Sequence, residues 1–263
     1  MTEAHLARRA LAVNDAHLAL GHEVFAAAGG QFVRNAAVPR TYDANHVSSI
    51  TASTPEEIAA LLARAEKEFA HCRHRRFLCD ARTPPQFEAR LLLEGYAHDE
   101  GLVFVLDGEL QAAPKPYDIR LIDDDAGWAA YADLKRGDWA EHRERVAPGE
   151  PLSIGDEMAR ANEAKCPPAR YWLAYDDGRP VGFFSSWSGI DGLGQVEDLF
   201  VHPAYRHRGI ATALIAHCVA DCRAGGAGPV VILADPADTP KHMYAAMGWA
   251  PVAVKRKYLK RLD

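Results

Sequence analysis

The stretch Gln195-Val196-Glu197-Asp198-Leu199-Phe200-Val201-His202-Pro203-Ala204-Tyr205-Arg206-His207-Arg208-Gly209-Ile210-Ala211-Thr212 decides how the rest of this chain is read. Its first seven residues form a strand. From Ile210 the apolar residues Ile210, Leu214, Cys218 and Cys222 recur four apart, which marks a helix. The loop between them therefore opens directly into a helix N-terminus, where backbone N–H groups are unpaired and the helix dipole is positive. Such a terminus suits a pyrophosphate. Gly209 lets the backbone approach the anion without a Cβ in the way. Ala211 keeps the first turn thin, and Arg206 and Arg208 bring positive charge.

The Gln/Arg-x-x-Gly-x-Gly/Ala spacing alone is not specific. At ordinary glycine usage such a pattern arises by chance roughly 0.3 times in a chain this long. A second match is present, Arg223-Ala224-Gly225-Gly226-Ala227-Gly228. It follows a helix and precedes a strand, so it offers no helix N-terminus and reads as a flexible turn. Context, not spacing, separates the two.

Working outward, the polar, twice-proline segment Asp107 to Pro116 reads as a linker near the middle of the 263 residues. It sets up domains at 1–110 and 118–263, with 111–117 between them. After it, Asp118 to Ile122 is a strand. Asp123-Asp124-Asp125 caps a helix to about Lys135. A second helical stretch runs from Trp139 to Ala164, broken around Pro148 to Pro151. The strands Tyr171–Tyr175 and Val181–Ile190 flank the hairpin signal Asp177-Gly178. Val230 to Ala234 is a buried strand and Thr239 to Met247 a short helix stopped by Gly248. Val252 to Leu259 closes the domain as a strand whose alternation leaves Lys255-Arg256-Lys257 on an exposed edge.

The first half repeats this ending. Phe77-Leu78-Cys79-Asp80, Thr83-Pro84, a helix, Gly95 and a strand at Leu102–Leu106 parallel Ile232-Leu233-Ala234-Asp235, Thr239-Pro240, a helix, Gly248 and a strand. Extended backwards, Asn45–Ile50 matches the strand before the loop and Pro55–Phe69 the helix after it. The pattern is an internal duplication. Between Ile50 and Pro55 stands only Thr51-Ala52-Ser53-Thr54, with no glycine or arginine. The first half is thus expected to bind no anion there.

A strand with Val201-x-Pro203, followed by Arg206-x-x-Gly209-x-Ala211 opening a helix, resembles the acetyl-CoA motif of the GNAT superfamily of N-acetyltransferases. The resemblance covers the second half, through Val230–Ala234 and Tyr244-x-x-x-Gly248-Trp249. Asp235 and Asp238 stand where the family tends to carry an asparagine, so that contact is not carried over. The resemblance implies an α/β (α+β) chain of two GNAT-like domains, each a mixed, mostly antiparallel sheet flanked by helices. It implies acetyl-CoA as acyl donor, held by Arg206, His207, Arg208, Gly209, Ile210, Ala211 and Thr212. The pantetheine arm would lie between splayed strands against Leu199, Phe200 and Val201. Tyr244 would be the general acid at the departing thiolate. Glu197 would be the base, acting through water on a small-molecule primary amine. Strand alternation puts Gln195, Glu197 and Leu199 on one face and Asp198 on the other, unless a bulge exchanges them. Trp187, Trp139 and Tyr131 either line the acceptor pocket or belong to the core.

Composition is close to that of soluble globular proteins: 48% hydrophobic and 25% charged residues. The net charge of -6 argues against nucleic acid or an anionic membrane as partner. Five cysteines and no apolar leader point to reduced thiols in the cytoplasm. No metal is expected. His71-Cys72-Arg73-His74-Arg75-Arg76 fits no zinc spacing and reads as a basic helix end. Ser185, Ser186 and Ser188 lack a nearby histidine and suggest no hydrolase. The chain is expected to be a monomer or homodimer. Two other functions remain open: a non-catalytic acyl-CoA-binding module, and an enzyme of the same fold with another donor or acceptor, such as the tandem-GNAT mycothiol synthases.

Overall fold

The computed structural model describes residues 2–146 and 148–262. In chain order its elements are α1 (Glu3–Ala19), β1 (Glu23–Ala27), β2 (Gly30–Arg34), β3 (His46–Ser48), α2 (Pro55–Glu68), β4 (His74–Cys79), α3 (Pro85–Leu93) and β5 (Ala97–Leu106). Then follow β6 (Asp118–Leu121), α4 (Asp125–Val146), α5 (Ile154–Glu163), β7 (Arg170–Asp176), β8 (Arg179–Ile190), β9 (Leu193–Val201), α6 (Ile210–Ala224), β10 (Val230–Ala234), α7 (Pro240–Ala246) and β11 (Ala250–Arg261). No helix among the described residues is long and apolar enough to cross a membrane. The chain forms two compact units. The first is Met1–Phe104 with Leu233–His242 and Pro251–Asp263; the second is Val105–Ile232 with Met243–Ala250.

In the first unit the strand order is β1-β2-β3-β4-β11-β5. The β1–β2, β2–β3 and β4–β11 pairs are antiparallel, and β3 meets β4 in parallel at Val47↔Phe77. The core gathers Phe32, Leu61, Phe69, Phe77, Phe87 and Leu91. Phe77 sits edge-on to Phe87 and Tyr96, with ring centroids 5.3 and 5.6 Å away. The basic run at His71–Arg76 acts within this unit. Arg75 is buried and donates to the carbonyls of Phe69, Cys72 and His74 just past the end of α2, satisfying acceptors the helix leaves open. Among the described residues no group of His, Cys, Asp and Glu side chains is placed to hold a metal ion.

In the second unit the order is β6-β7-β8-β9-β10. The first three pairs are antiparallel and β9–β10 is parallel. The run β7-β8-β9-β10 thus repeats the pairing senses of β1-β2-β3-β4, and α6 corresponds to α2, as a duplication requires. The four-apart residues Ile210, Leu214, Cys218 and Cys222 are all buried, so the helical period chose the right face of α6. The second Arg-x-x-Gly match is the C-terminal turn of α6. The amides of Gly226 and Ala227 there donate back to Arg223 and Cys222, and Gly226 has φ +94°.

Three expectations need correction. The helix expected to stop near Lys135 runs on to Val146. Gly137 inside it costs about 1 kcal/mol relative to alanine, and burial of Tyr131, Leu134 and Trp139 offsets that. The last strand is not an exposed edge, because β11 lies between β4 and β5. Lys255 is 2% exposed, and its ammonium donates to Asn14 and Asp15 at 2.6 Å each. Finally, β11 belongs to the first unit and does not close the second, while the expected linker at 111–117 is part of the second.

Candidate active site

Strand β9 carries a bulge. Opposite it, Ser185 pairs with Glu197 and Phe183 with Phe200, so β8 advances two residues while β9 advances three. The extra residue is accommodated at Asp198, which has φ +70°, rare outside glycine. Alternation along β8 puts Phe183 and Ser185 on one face, and Phe183 packs on Tyr131 of α4. Glu197 therefore faces α4. Asp198, which strict alternation sends to the opposite face, reaches the same helices through the bulge. Its carboxylate accepts from Tyr131 Oη at 2.5 Å, from Asn162 Nδ2 at 3.0 Å and from Lys135 Nζ.

This cluster is largely buried. Tyr131 is fully buried and Lys135 is 2% exposed. Burial raises the Tyr131 phenol well above its usual range, and Asp198 adds to this, so the hydroxyl stays a donor. Burial works to lower Lys135, but Asp138 and Asp198 outweigh it and raise the ammonium. Burial also opposes ionisation of Asp138, yet Lys135 and His142 hold its carboxyl down to about 2. Three donors thus converge on the Asp198 carboxylate. Glu197 accepts from Gln195 Nε2 at 2.9 Å, and Ser185 Oγ donates to its main-chain carbonyl at 2.7 Å. Gln195 Oε1 is buried and has no hydrogen-bond partner among the described residues.

The ladder between β9 and β10 is short. Among the described residues it consists of Val230↔Gly194 and Val231↔Gln195. The end of β9, which includes Leu199, Phe200 and Val201, has no β10 pairing. Phe200 and Val201 are buried, and Leu199 is half-buried.

Past Val201 the chain makes a short turn at Pro203–Tyr205, and His202 Nδ1 caps it by accepting from Ala204 N. His207 and Gly209 both take left-handed backbone conformations, φ +62° and +95°. Gly209 stands at the N-cap of α6, so that position supplies no side-chain cap. The amides of Ile210, Ala211 and Thr212 begin the helix there. Arg206 is held by Val201 O at 2.9 Å and by Glu141 of α4 at 2.7 and 3.0 Å. Arg208 donates to Ala204 O at 3.1 Å and faces Asp176 at 3.3 Å. Both expected phosphate arginines thus already face carboxylates.

The corresponding helix of the first unit is closed. Thr54 and Glu57 form a reciprocal cap at the start of α2. Glu57 Oε2 accepts from the amides of Ser53 and Thr54 and from Ser53 Oγ. These bonds lower the Glu57 carboxyl below its usual value. A side-chain carboxylate thus stands where an anion would bind, and Pro55 has no N–H to offer.

Tyr244 lies on α7, is 3% exposed, and its ring sits 6.3 Å from that of Trp249. Trp187 and Trp139 are both nearly buried, and Trp139 Nε1 donates to Pro151 O at 3.0 Å. Sequence reasoning missed the Asp198 cluster. The spacing of Tyr131, Lys135 and Asp138, four and three apart on one helix face, was its available signal.

Residues 129–249 match the model of the acetyltransferase (GNAT) family. No curated protein matches the chain in sequence. Among solved structures, a conserved protein of unknown function from Staphylococcus epidermidis is similar at 16% identity and TM-score 0.69, covering 92% of this chain and 95% of its own. A GCN5-related N-acetyltransferase from Kribbella flavida is similar at 16% identity and TM-score 0.67, covering 96% and 95%. A tandem GNAT protein from the clavulanic acid biosynthesis pathway is similar at 15% identity and TM-score 0.58, covering 82% and 74%. At these identities the structures testify to the fold. Together with the family match over 129–249, they show that the chain has the fold of a tandem GNAT protein and that its second half carries the match to the GNAT family.

Proposed function

We propose that the protein is an acetyl-CoA-dependent N-acetyltransferase acting on a primary amine of a small molecule, with one donor site, in the second unit. The observation that carries this is the uncapped start of α6 at Gly209, next to a β9 end left unpaired by β10. The backbone amides from Gly209 to Thr212 bind the CoA pyrophosphate. The free edge of Leu199–Val201 takes the pantetheine arm as an added strand. A main-chain N–H at Leu199 or Phe200 donates to the tetrahedral oxyanion. Glu197, through water, takes a proton from the substrate ammonium, and the neutral amine then attacks the thioester carbonyl. Tyr244 gives a proton to the leaving thiolate.

Gly209→Glu places a carboxylate and a side chain in the left-handed position where the anion binds. Calorimetric titration with acetyl-CoA should show binding to the native chain and none to this variant. Retained affinity would remove the cradle from the mechanism. Binding by the native chain without CoA release, across a broad panel of amines, would favour a non-catalytic acyl-CoA-binding module instead.

A further inference from the structure

The segment 107–117 is docked on the second unit along its length. Arg223, at the end of α6, donates to the carbonyl of Gly108. Gln111 N donates to Met247 O at 2.9 Å, and the Gln111 side chain runs beside Gly248. Tyr117 Oη donates to the carbonyl of Arg208 at 3.0 Å. The segment thus spans from the end of α6, past the end of α7, to the loop that opens α6. Where it reaches that loop it carries Lys115. A Cβ built on Gly209 would lie 3.5, 3.8 and 3.9 Å from Cδ, Cγ and Cε of Lys115. The lysine stem therefore lies in van der Waals reach of the helix start.

Of the cations around this loop, Arg206 is paired with Glu141 and Arg208 with Asp176. Lys115 has no ion pair among the described residues and is exposed. Given the donor site proposed above, we infer that Lys115 is a binding residue for the CoA pyrophosphate, supplied by the segment that precedes the domain. The arginines of the loop serve mainly to hold its shape. A lysine suits this task because its ammonium is a compact charge on a flexible stem and follows a phosphate without fixed geometry. The Tyr117 bond to Arg208 keeps that stem at the loop. The chemical class recognised is a diphosphate ester.

The test is calorimetric titration of the full chain at low and high salt. Lys115→Gln keeps length and removes charge. It should weaken acetyl-CoA binding roughly tenfold, the order expected for one charge-assisted phosphate contact. The loss should shrink as salt is raised. Lys115→Arg should restore most of the affinity. Lys67→Gln, an exposed lysine of the first unit, should change nothing. The loss should persist with 3′-dephospho-CoA, because the pyrophosphate remains. An unchanged affinity in Lys115→Gln, with Gly209→Glu still abolishing binding, overturns this inference and leaves the donor site standing. Tighter binding would mean that Lys115 blocks the cradle, and would also overturn it. A loss that vanishes with 3′-dephospho-CoA moves the contact to the 3′-phosphate and overturns the pyrophosphate assignment. No binding by the native chain would overturn the donor site itself.

Discussion

Tyr131 donates its hydroxyl hydrogen to Asp198 across 2.5 Å, joining the middle of α4 to the bulge of β9. The bond ties the Asp198 carboxylate to α4 at a non-glycine residue whose φ is +70°. Removing the carboxylate in Asp198→Ala leaves Lys135 buried with Asp138 as its remaining carboxylate partner. The expected loss is about 3 kcal/mol of stability in urea unfolding. Tyr131→Phe should cost about 1 kcal/mol, and the double variant less than the sum. Full additivity would mean the bond contributes nothing.

Tyr244→Phe removes the proposed acid and keeps the ring that packs near Trp249. Turnover should fall by about two orders of magnitude or more while acetyl-CoA affinity stays near native. Glu197→Gln should lower turnover similarly, with acetyl-CoA affinity again near native. An unchanged rate in either variant removes that residue from the mechanism.

Calorimetry should give one acetyl-CoA per chain, because Glu57 and Pro55 close the helix start in the first unit while Gly209 leaves it open in the second. A stoichiometry near two would contradict this. Thr54→Ala should lower stability by about 1 kcal/mol through loss of the cap, without creating a second site.

Burial lowers His46 to about 3, helped by Lys255 and Arg76. Its Nδ1–H donates to Asp43 O at 2.8 Å, and its buried Nε2 has no hydrogen-bond partner among the described residues. Burial likewise lowers His74 to about 4, with the Asn45 carbonyl acting in the opposite sense. Both are neutral when folded and take up a proton near pH 6.5 when unfolded. The unfolded state therefore holds more protons below pH 6.5, and stability falls as pH drops from there. Each histidine contributes a slope of up to about 1.4 kcal/mol per pH unit. Carboxylates with lowered pKa values add to the loss only below about pH 4. Denaturant melts between pH 7 and 5 should show a slope, reduced in His46→Asn, whose amide can replace the Nδ1 donor. A flat profile over that range would refute the assignment.

Most elements of the second unit were legible because their signals are local. The β7–β8 turn is written in Asp177-Gly178, both at positive φ, and the α6 face in a four-residue period. The loop that opens α6 was legible for the same reason, as a strand, loop and helix contiguous in sequence. The first 44 residues were not read as elements. Yet they hold α1 and the β1–β2 hairpin, which lack such punctuated apolar runs. Helix α4 ran past its expected end because tertiary burial overrode the local weakness at Gly137.

By itself, then, the sequence determined the repeat of strand-helix-strand units and the glycine-capped helix start that follows β9. These follow from backbone propensity and apolar period, which act over a few residues. Tertiary structure alone decided three other things. It buried Lys255 against Asp15, since a strand's neighbours lie hundreds of residues away. It turned Asp198 onto the face of Glu197, since a bulge depends on the register with β8. And it laid Lys115 beside Gly209, since a segment without regular structure takes its course from what it docks on.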